Sequence, residues 1–475
     1  MEDHAPGLDR AFAALAEQCC EPRIEGTIPP FLRGTYYLNG PARFERGGRR
    51  YGHWLDGDGM VCALRFGAEG VRFTSRYVRG TRLAEEEAAG RLLYRSFGTA
   101  FPGDRLVRGV ALESPLNVSV YPWHGPNGGS LLAFGEQGLP WELDPETLET
   151  RGPFNFGGAV NPVSPFAAHP KIDPETGELF NFGINFASAQ PSLNLYRFHP
   201  DGRLAYRRRL PLAVPASLHD FCLSGRHAIF HVGPYLMDMS RLGSGGTLLD
   251  ALRWEPERGS ELLIVRREDG EPVASVPVGS RYVLHGINAF EEADGEGSRL
   301  TVDVLELDRP VYDQYLLDGL FTDVGPGRPV RFVIDLATGT LLETREIAYD
   351  RAPDFPAIDP ARAGRPYEDL WMLGISRTGR PGRKFFDQVV HASWTRPTQV
   401  EVWQAPPWCY LGGEPAFAPD PSGEGGVVIC QRFDATAGES AFLIFDAFDV
   451  AAGPVAVVPL AAPMHLGFHA VFAPG

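Results

Sequence analysis

The sequence is short of positive charge, of cysteine and of long apolar runs. It carries 44 Lys+Arg against 60 Asp+Glu, a formal charge of −16. Nucleic-acid binding needs clustered cations, so that class is set aside. The short basic runs Arg49-Arg50, Arg207-Arg208-Arg209 and Arg383-Lys384 read as solvated strand faces. Six cysteines (Cys19, Cys20, Cys62, Cys222, Cys409, Cys430) include no Cys-x-x-Cys pair, which argues against a structural zinc site. No stretch approaches the roughly 18 apolar residues of a membrane helix. The nearest, 453–464, is broken by proline and glycine. The segment Met1–Cys20 is acidic where a signal peptide needs a basic start and an apolar run. The expectation is a cytoplasmic protein with reduced thiols. Nucleotide and hydrolase signatures are also missing: Gly243-Ser-Gly-Gly-Thr-Leu248 fails the dinucleotide pattern, and no Gly-x-x-x-x-Gly-Lys loop or Gly-x-Ser-x-Gly elbow occurs.

What the chain does have is turn chemistry and aromatic bulk. Gly (55) and Pro (42) make up about a fifth of 475 residues, with 30 Phe, but no collagen period. Turn pairs such as Asp56-Gly57, Asp201-Gly202, Asp269-Gly270 and Thr338-Gly339 sit among alternating apolar runs. Three segments share one layout: 141–149, 171–179 and 333–341 each end a strand in Asp, turn at a Thr, then begin another strand. Outer hairpins of propeller blades look like this. Seven blades would leave about 68 residues each. The expectation is an all-β fold, residues 1–475 forming one closed domain, with an N-terminal extension (1–20) helical over 8–18. Segments 233–252 and 305–324 read as the poorest strands. The first, with Leu236, Met237, Met239, Leu242, Leu248, Leu249 and Leu252, reads either as ordinary core or as an apolar face that touches a membrane or lines a tunnel.

Four of the 12 histidines share an apolar, strand-like setting: His169, His219, His285 and His469, separated by 50, 66 and 184 residues. One helix or loop cannot hold them. Four propeller blades could each point one imidazole at the axis.

Several runs together resemble the carotenoid cleavage oxygenases. They are Glu25-Gly-Thr-Ile-Pro-Pro-Phe-Leu-Arg-Gly-Thr-Tyr-Tyr-Leu-Asn-Gly-Pro41, His53-Trp-Leu-Asp-Gly-Asp-Gly-Met60, Ala168-His-Pro-Lys-Ile-Asp173, Leu218-His-Asp-Phe221, His285-Gly-Ile-Asn-Ala-Phe-Glu-Glu292 and Gly467-Phe-His469. The similarity spans residues 25 to 472. It implies a seven-bladed β-propeller with loops and short helices doming over an axial non-haem Fe(II). His169, His219, His285 and His469 would be its ligands and O2 its cosubstrate. Neutral imidazole suits Fe(II), and four ligands leave two octahedral positions open. The family pairs three glutamates with the last three histidines. Glu136 and Glu414 match two of them, and Asp354 stands at the third. Asp is one methylene shorter, so either the backbone moves in or a water bridges.

The implied reaction is oxidative cleavage of a C=C bond in a carotenoid or apocarotenoid to two carbonyl products. The alternatives are a lignostilbene or other phenylpropenoid substrate, a non-oxidative retinoid isomerase or hydrolase, and a metal-free propeller that binds protein. Stilbene cleavers hold the substrate phenol with a Tyr and a Lys. The matching places here are Arg95-Ser-Phe-Gly-Thr99, without Tyr, and Gly135. Both lean towards a polyene. The implied partner is thus an apolar small molecule, with no obligate protein partner evident. Peripheral membrane contact through 233–252 is expected, because a polyene must leave a bilayer.

Overall fold

The structure, a computed structural model, describes residues 7–107, 111–123, 129–186, 188, 190–294, 297–423 and 425–475. Among these, seven antiparallel sheets of four or five strands make a seven-bladed β-propeller; two further sheets are two-stranded. The turn layout holds in atomic detail, but only the hairpins at Asp144 and Asp335 join the outer two strands of a blade; the one at Asp173 joins the inner two, Lys171–Ile172 and Leu179–Asn185. Asp144 Oδ1 accepts the N–H groups of Glu146 and Thr147 at 2.9 and 2.8 Å. Asp173 Oδ1 does the same for Glu175 and Thr176. Asp335 takes the N–H of Ala337 and the hydroxyl of Thr338. Each aspartate satisfies the orphan donors of a tight turn between adjacent strands.

Both chain ends enter the ring. Strand Ala470–Pro474 pairs with Gly34–Arg43, and the sheet continues outward through Asp58–Gly67, Gly70–Tyr77 and Gln18–Cys20. The following blade begins with Ser119–Trp123, and later ones begin with Lys171–Ile172, Cys222–Leu223, Tyr282–Asp294, Asp354–Ala357 and Cys409–Pro419. Strand Glu25–Gly26 adds to the outside of that last sheet, so an early segment ties it shut. Closure removes the long unpaired edges an open sheet would expose.

The 8–18 helix expected from sequence is a 3-10 helix at Leu8–Phe12 only, followed by strand Gln18–Cys20. Pairing with Gly70–Tyr77 overrides local helical periodicity: the Gln18 N–H bonds Ser75 Oγ at 3.0 Å, and Glu17 Oε1 accepts the Tyr77 N–H at 3.0 Å. Residues 1–6 of the expected extension lie outside the described residues.

Short helices dome over the ring as expected. Trp54–Asp56, Tyr312–Tyr315 and Leu317–Gly319 are 3-10 helices, and Met239–Gly243 and Leu248–Ala251 are short α-helices. Trp54, fully buried, holds them together, with ring centroids 5.2 Å from Tyr315, 4.9 Å from Phe385 and 4.3 Å from Phe468. In segment 233–252, the core reading wins for four of the seven apolar residues. Leu236, Met237, Leu242 and Leu252 are buried, and strand Tyr235–Met237 pairs with Leu252–Trp254. Only Met239, Leu248 and Leu249 stay partly exposed. No helix of the described residues is long and apolar enough to cross a membrane.

Leu236 is 3% exposed. Leu236→Asp loses apolar burial and strands a carboxylate in the core. It should cost roughly 4 kcal/mol or more in a denaturant melt. A loss under about 1 kcal/mol would mean the side chain is not core.

Candidate metal centre

Every blade sends one chemically significant side chain to the axis. His169 precedes Lys171–Ile172, His219 precedes Cys222–Leu223, and His469 precedes Ala470–Pro474; His285 lies within Tyr282–Asp294. Glu136 follows strand Ser130–Phe134, Asp354 opens Asp354–Ala357, and Glu414 lies in Cys409–Pro419. Four blades give imidazoles and three give carboxylates.

The four imidazoles are buried, and one ring nitrogen from each lies within 4.8 Å of the others. The His169 and His219 Nε2 atoms are 2.9 Å apart. The carboxylates bind the far side of three rings. His219 Nδ1 donates to Glu136 Oε1 at 2.8 Å, His285 Nδ1 to Asp354 Oδ1 at 2.5 Å, and His469 Nδ1 to Glu414 Oε2 at 3.3 Å. Each bond puts the proton on Nδ1, which leaves the Nε2 lone pair aimed inward. His285 Nε2 is buried without a partner. His169 has no carboxylate on its ring among the described residues. Its strand is tied instead by the Ser119 hydroxyl, which donates to the Ala168 carbonyl. No such carboxylate fixes the His169 tautomer, so its Nε2–H can donate to His219 Nε2, and a cation that displaces that proton meets four converging lone pairs. The residues present therefore fit a bound metal ion with an all-nitrogen protein shell.

The shorter Asp354 reaches its histidine directly, without a bridging water. The pairing of Asp354–Ala357 with Asp369–Gly374 slips between Asp354 and Ala357, and Phe355 adopts φ +55°. A positive φ at a phenylalanine costs on the order of 1–3 kcal/mol, a strain kept where it serves a site. The strand bearing Glu414 also slips, between Gly412 and Ala416, and the strand bearing His285 slips on both sides of Gly286. Bulges re-aim side chains, and here they aim them at the axis.

Burial and the neighbouring imidazoles hold His169 well below the ordinary histidine range, and burial lowers His469. Both are thereby neutral, the state a metal requires. The pair His285–Asp354 is coupled the other way: burial opposes both charges, but each partner outweighs it, so the ring is raised and the carboxyl lowered, and a metal ion at His285 would displace a proton.

All seven residues singled out from sequence thus meet at one place. Sequence reading missed the aromatic wall beside it. Tyr312 stands with its ring centroid 6.2 Å from that of His219, and the Tyr315 hydroxyl lies 3.4 Å from Asp354 Oδ2. Both belong to segment 305–324, flagged only as a poor strand. A narrow cleft of about 30 Å³ reaches Glu136 between Leu55, Phe97, Leu112, Val118 and Leu248. Leu248 is the residue of segment 233–252 that lines it.

Three comparisons bear on this site. The family model described as "Retinal pigment epithelial membrane protein" matches residues 12–474. The chain is 31% identical over 461 residues to the apocarotenoid-15,15'-oxygenase of Synechocystis sp., covering 92% of this chain and 89% of that protein. It is 29% identical over 462 residues to the isoeugenol monooxygenase of Pseudomonas putida, covering 94% and 93%. The crystal structure of the cobalt-substituted Synechocystis enzyme superposes with a TM-score of 0.87 over 98% of both chains at 28% identity.

Among histidines outside the cluster, His53 and His465 help to set an acid limit on the fold, as does His231, which burial also pushes down to about 4. His53 Nδ1 accepts the Leu55 N–H at 3.1 Å and its Nε2 donates to the Tyr312 carbonyl at 2.8 Å. Burial pushes His53 down to about 4 and His465 down to about 3. Unfolded histidine titrates near 6.5. Both therefore fold neutral and take up a proton on unfolding. Their stabilisation is complete above about pH 6.5 and is lost as pH falls towards about 4 for His53 and about 3 for His465. Each should add a slope of about 1.4 kcal/mol per pH unit within that window. Denaturant melts between pH 7 and 4.5 read it directly; a flat profile there would contradict their neutral burial.

Proposed function

Because the chain belongs to the carotenoid cleavage oxygenase family and is a dioxygenase, we propose that His169, His219, His285 and His469 hold one Fe(II) ion. Beside it the protein splits a C=C bond of a carotenoid or apocarotenoid into two carbonyl compounds. The observation that supports this most is the set of four buried imidazoles, three of them turned by carboxylates so that Nε2 faces one point. Iron bound there would supply O2 binding and the redox chemistry that O2 lacks on its own.

The chain's own residues do the rest. Glu136, Asp354 and Glu414 fix the ring orientations and raise ligand basicity. Phe97, Leu55, Leu112, Val118 and Leu248 put an apolar wall beside Glu136 that helps to keep water from the site. The reaction is R–CH=CH–R′ + O2 → R–CHO + OHC–R′. It balances without an added proton or reductant, so the site needs no acid–base pair at the reacting carbons.

A phenylpropenoid substrate is the second reading, favoured by the isoeugenol monooxygenase similarity and by the buried phenols of Tyr235, Tyr282 and Tyr312 near His219. Two features weigh against it. A Cβ at residue 135 would overlap the Ser114 hydroxyl, so a lysine has no room there. Arg95 is spent on Asp104 at 2.8 Å and on the Leu242 carbonyl at 2.7 Å.

Metal analysis of purified protein should give about one iron per chain, and His219→Ala should abolish it. The loaded protein should take up O2 with an apocarotenoid and release aldehydes. Turnover confined to isoeugenol or stilbenes would favour the second reading, and turnover of a retinoid ester without O2 would overturn both.

A polyene dissolves in bilayers, not in water. The partly exposed Met239, Leu248 and Leu249 are the side chains of 233–252 placed to touch one. Liposome flotation should fall in Leu249→Asp; unchanged flotation would remove this contact from the account.

A further inference from the structure

The histidine-bearing strands of three successive blades share one more partner. Asp220 directly follows His219. Its Oδ1 accepts the Phe221 N–H at 2.8 Å and lies 2.8 Å from Lys171 Nζ. Its Oδ2 accepts the Gly286 N–H at 3.0 Å. Lys171 stands two residues after His169, and Gly286 directly after His285. One carboxylate, with its side chain 4% exposed, therefore joins the backbones that carry three of the four imidazoles.

The local structure is built for this contact. The ladder of Tyr282–Asp294 shifts register on both sides of Gly286, and the Gly286 N–H goes to the neighbouring blade. A Cβ at 286 would overlap Cys222 Sγ, so only glycine lets the strands approach this closely. The cation is unusual for this chain. Of 44 Lys+Arg only two are lysine, Lys171 and Lys384. A compact ammonium can sit on one carboxylate oxygen where a planar guanidinium would require a fork.

Some such restraint is needed. The His169 and His219 Nε2 atoms are 2.9 Å apart, and His169 has no carboxylate on its ring among the described residues. Without an ion those two rings can share one proton, but no such bond reaches His285 Nε2, so the spacing of the three rings has to be set from behind them.

We propose that Lys171, Asp220 and the Gly286 N–H form a clamp that sets the spacing of His169, His219 and His285 and preorganises them for a metal ion. This rests on the metal reading above. The three are positioning residues, since none of them touches the ion. Preorganisation by groups behind the ligands raises affinity because the protein does not have to be ordered when the metal arrives.

The test is a Co(II) titration of metal-free protein, read as affinity and as the visible d–d spectrum, beside thermal melts. Lys171→Met keeps the stem and removes the charge; Asp220→Ala removes the whole hub. Arg331→Met is the control, because it breaks a buried ion pair with Asp303 inside one blade, away from the histidines. Lys171→Met and Asp220→Ala should each weaken Co(II) about tenfold and alter the d–d bands. Arg331→Met should lower the melting temperature and leave affinity and spectrum as in the parent. Parent-like affinity and spectrum in Lys171→Met would overturn the clamp, even if Asp220→Ala fails to fold. A parent protein that binds no Co(II) would overturn the metal reading itself, and the clamp with it, so the two failures are distinct.

Discussion

A hydrogen bond from an imidazole Nδ1 to a carboxylate on another blade is the contact on which the centre of this molecule depends. It occurs three times, as His219–Glu136, His285–Asp354 and His469–Glu414. Each bond joins two blades, fixes a tautomer and turns a lone pair inward. Separate sheets are thereby given a reason to meet at one axis. The strands bend to allow it: the ladders slip at His285, Asp354 and Glu414, and Phe355 accepts a positive φ. Local regularity is given up where the site needs an angle the pleat does not provide.

With the carboxylates one layer out, the ligand set is neutral. An ion bound there keeps its full charge, and the site has no acid or base poised at a substrate carbon. That matches a reaction in which O2 alone supplies both product oxygens. The dome above is the complementary half. Tyr312 and Phe355 set their rings against the histidines and Tyr315 its hydroxyl near Asp354, with Trp54 and Phe97 packed behind them; the cleft that reaches Glu136 has leucine, valine and phenylalanine on one side and polar groups such as Asn117 and Gln137 on the other.

Much of this was legible in the sequence, for identifiable reasons. Asp-x-x-Thr turns act locally, so Asp144, Asp173 and Asp335 announced their hairpins. The four histidines and three carboxylates carry short flanking motifs that travel with them. What could not be read was what covers what. Leu236 and Leu242 look the same whether they face lipid or a dome, and only packing against the core decides. The 8–18 helix gave way to a strand because Gly70–Tyr77 offered an edge that local periodicity cannot see. Asp220 was likewise silent: its partners Lys171 and Gly286 are 49 and 66 residues away in sequence.

The central claim is that seven blades bring four neutral imidazoles, and no protein carboxylate, onto one iron. X-ray absorption spectroscopy at the iron edge of the anaerobically loaded protein tests it most directly. The account predicts a nitrogen-dominated shell with the multiple-scattering pattern of four imidazoles and any remaining ligands from solvent. A shell with fewer imidazoles, or one in which Glu136, Asp354 or Glu414 supplies oxygen to the metal, would contradict it.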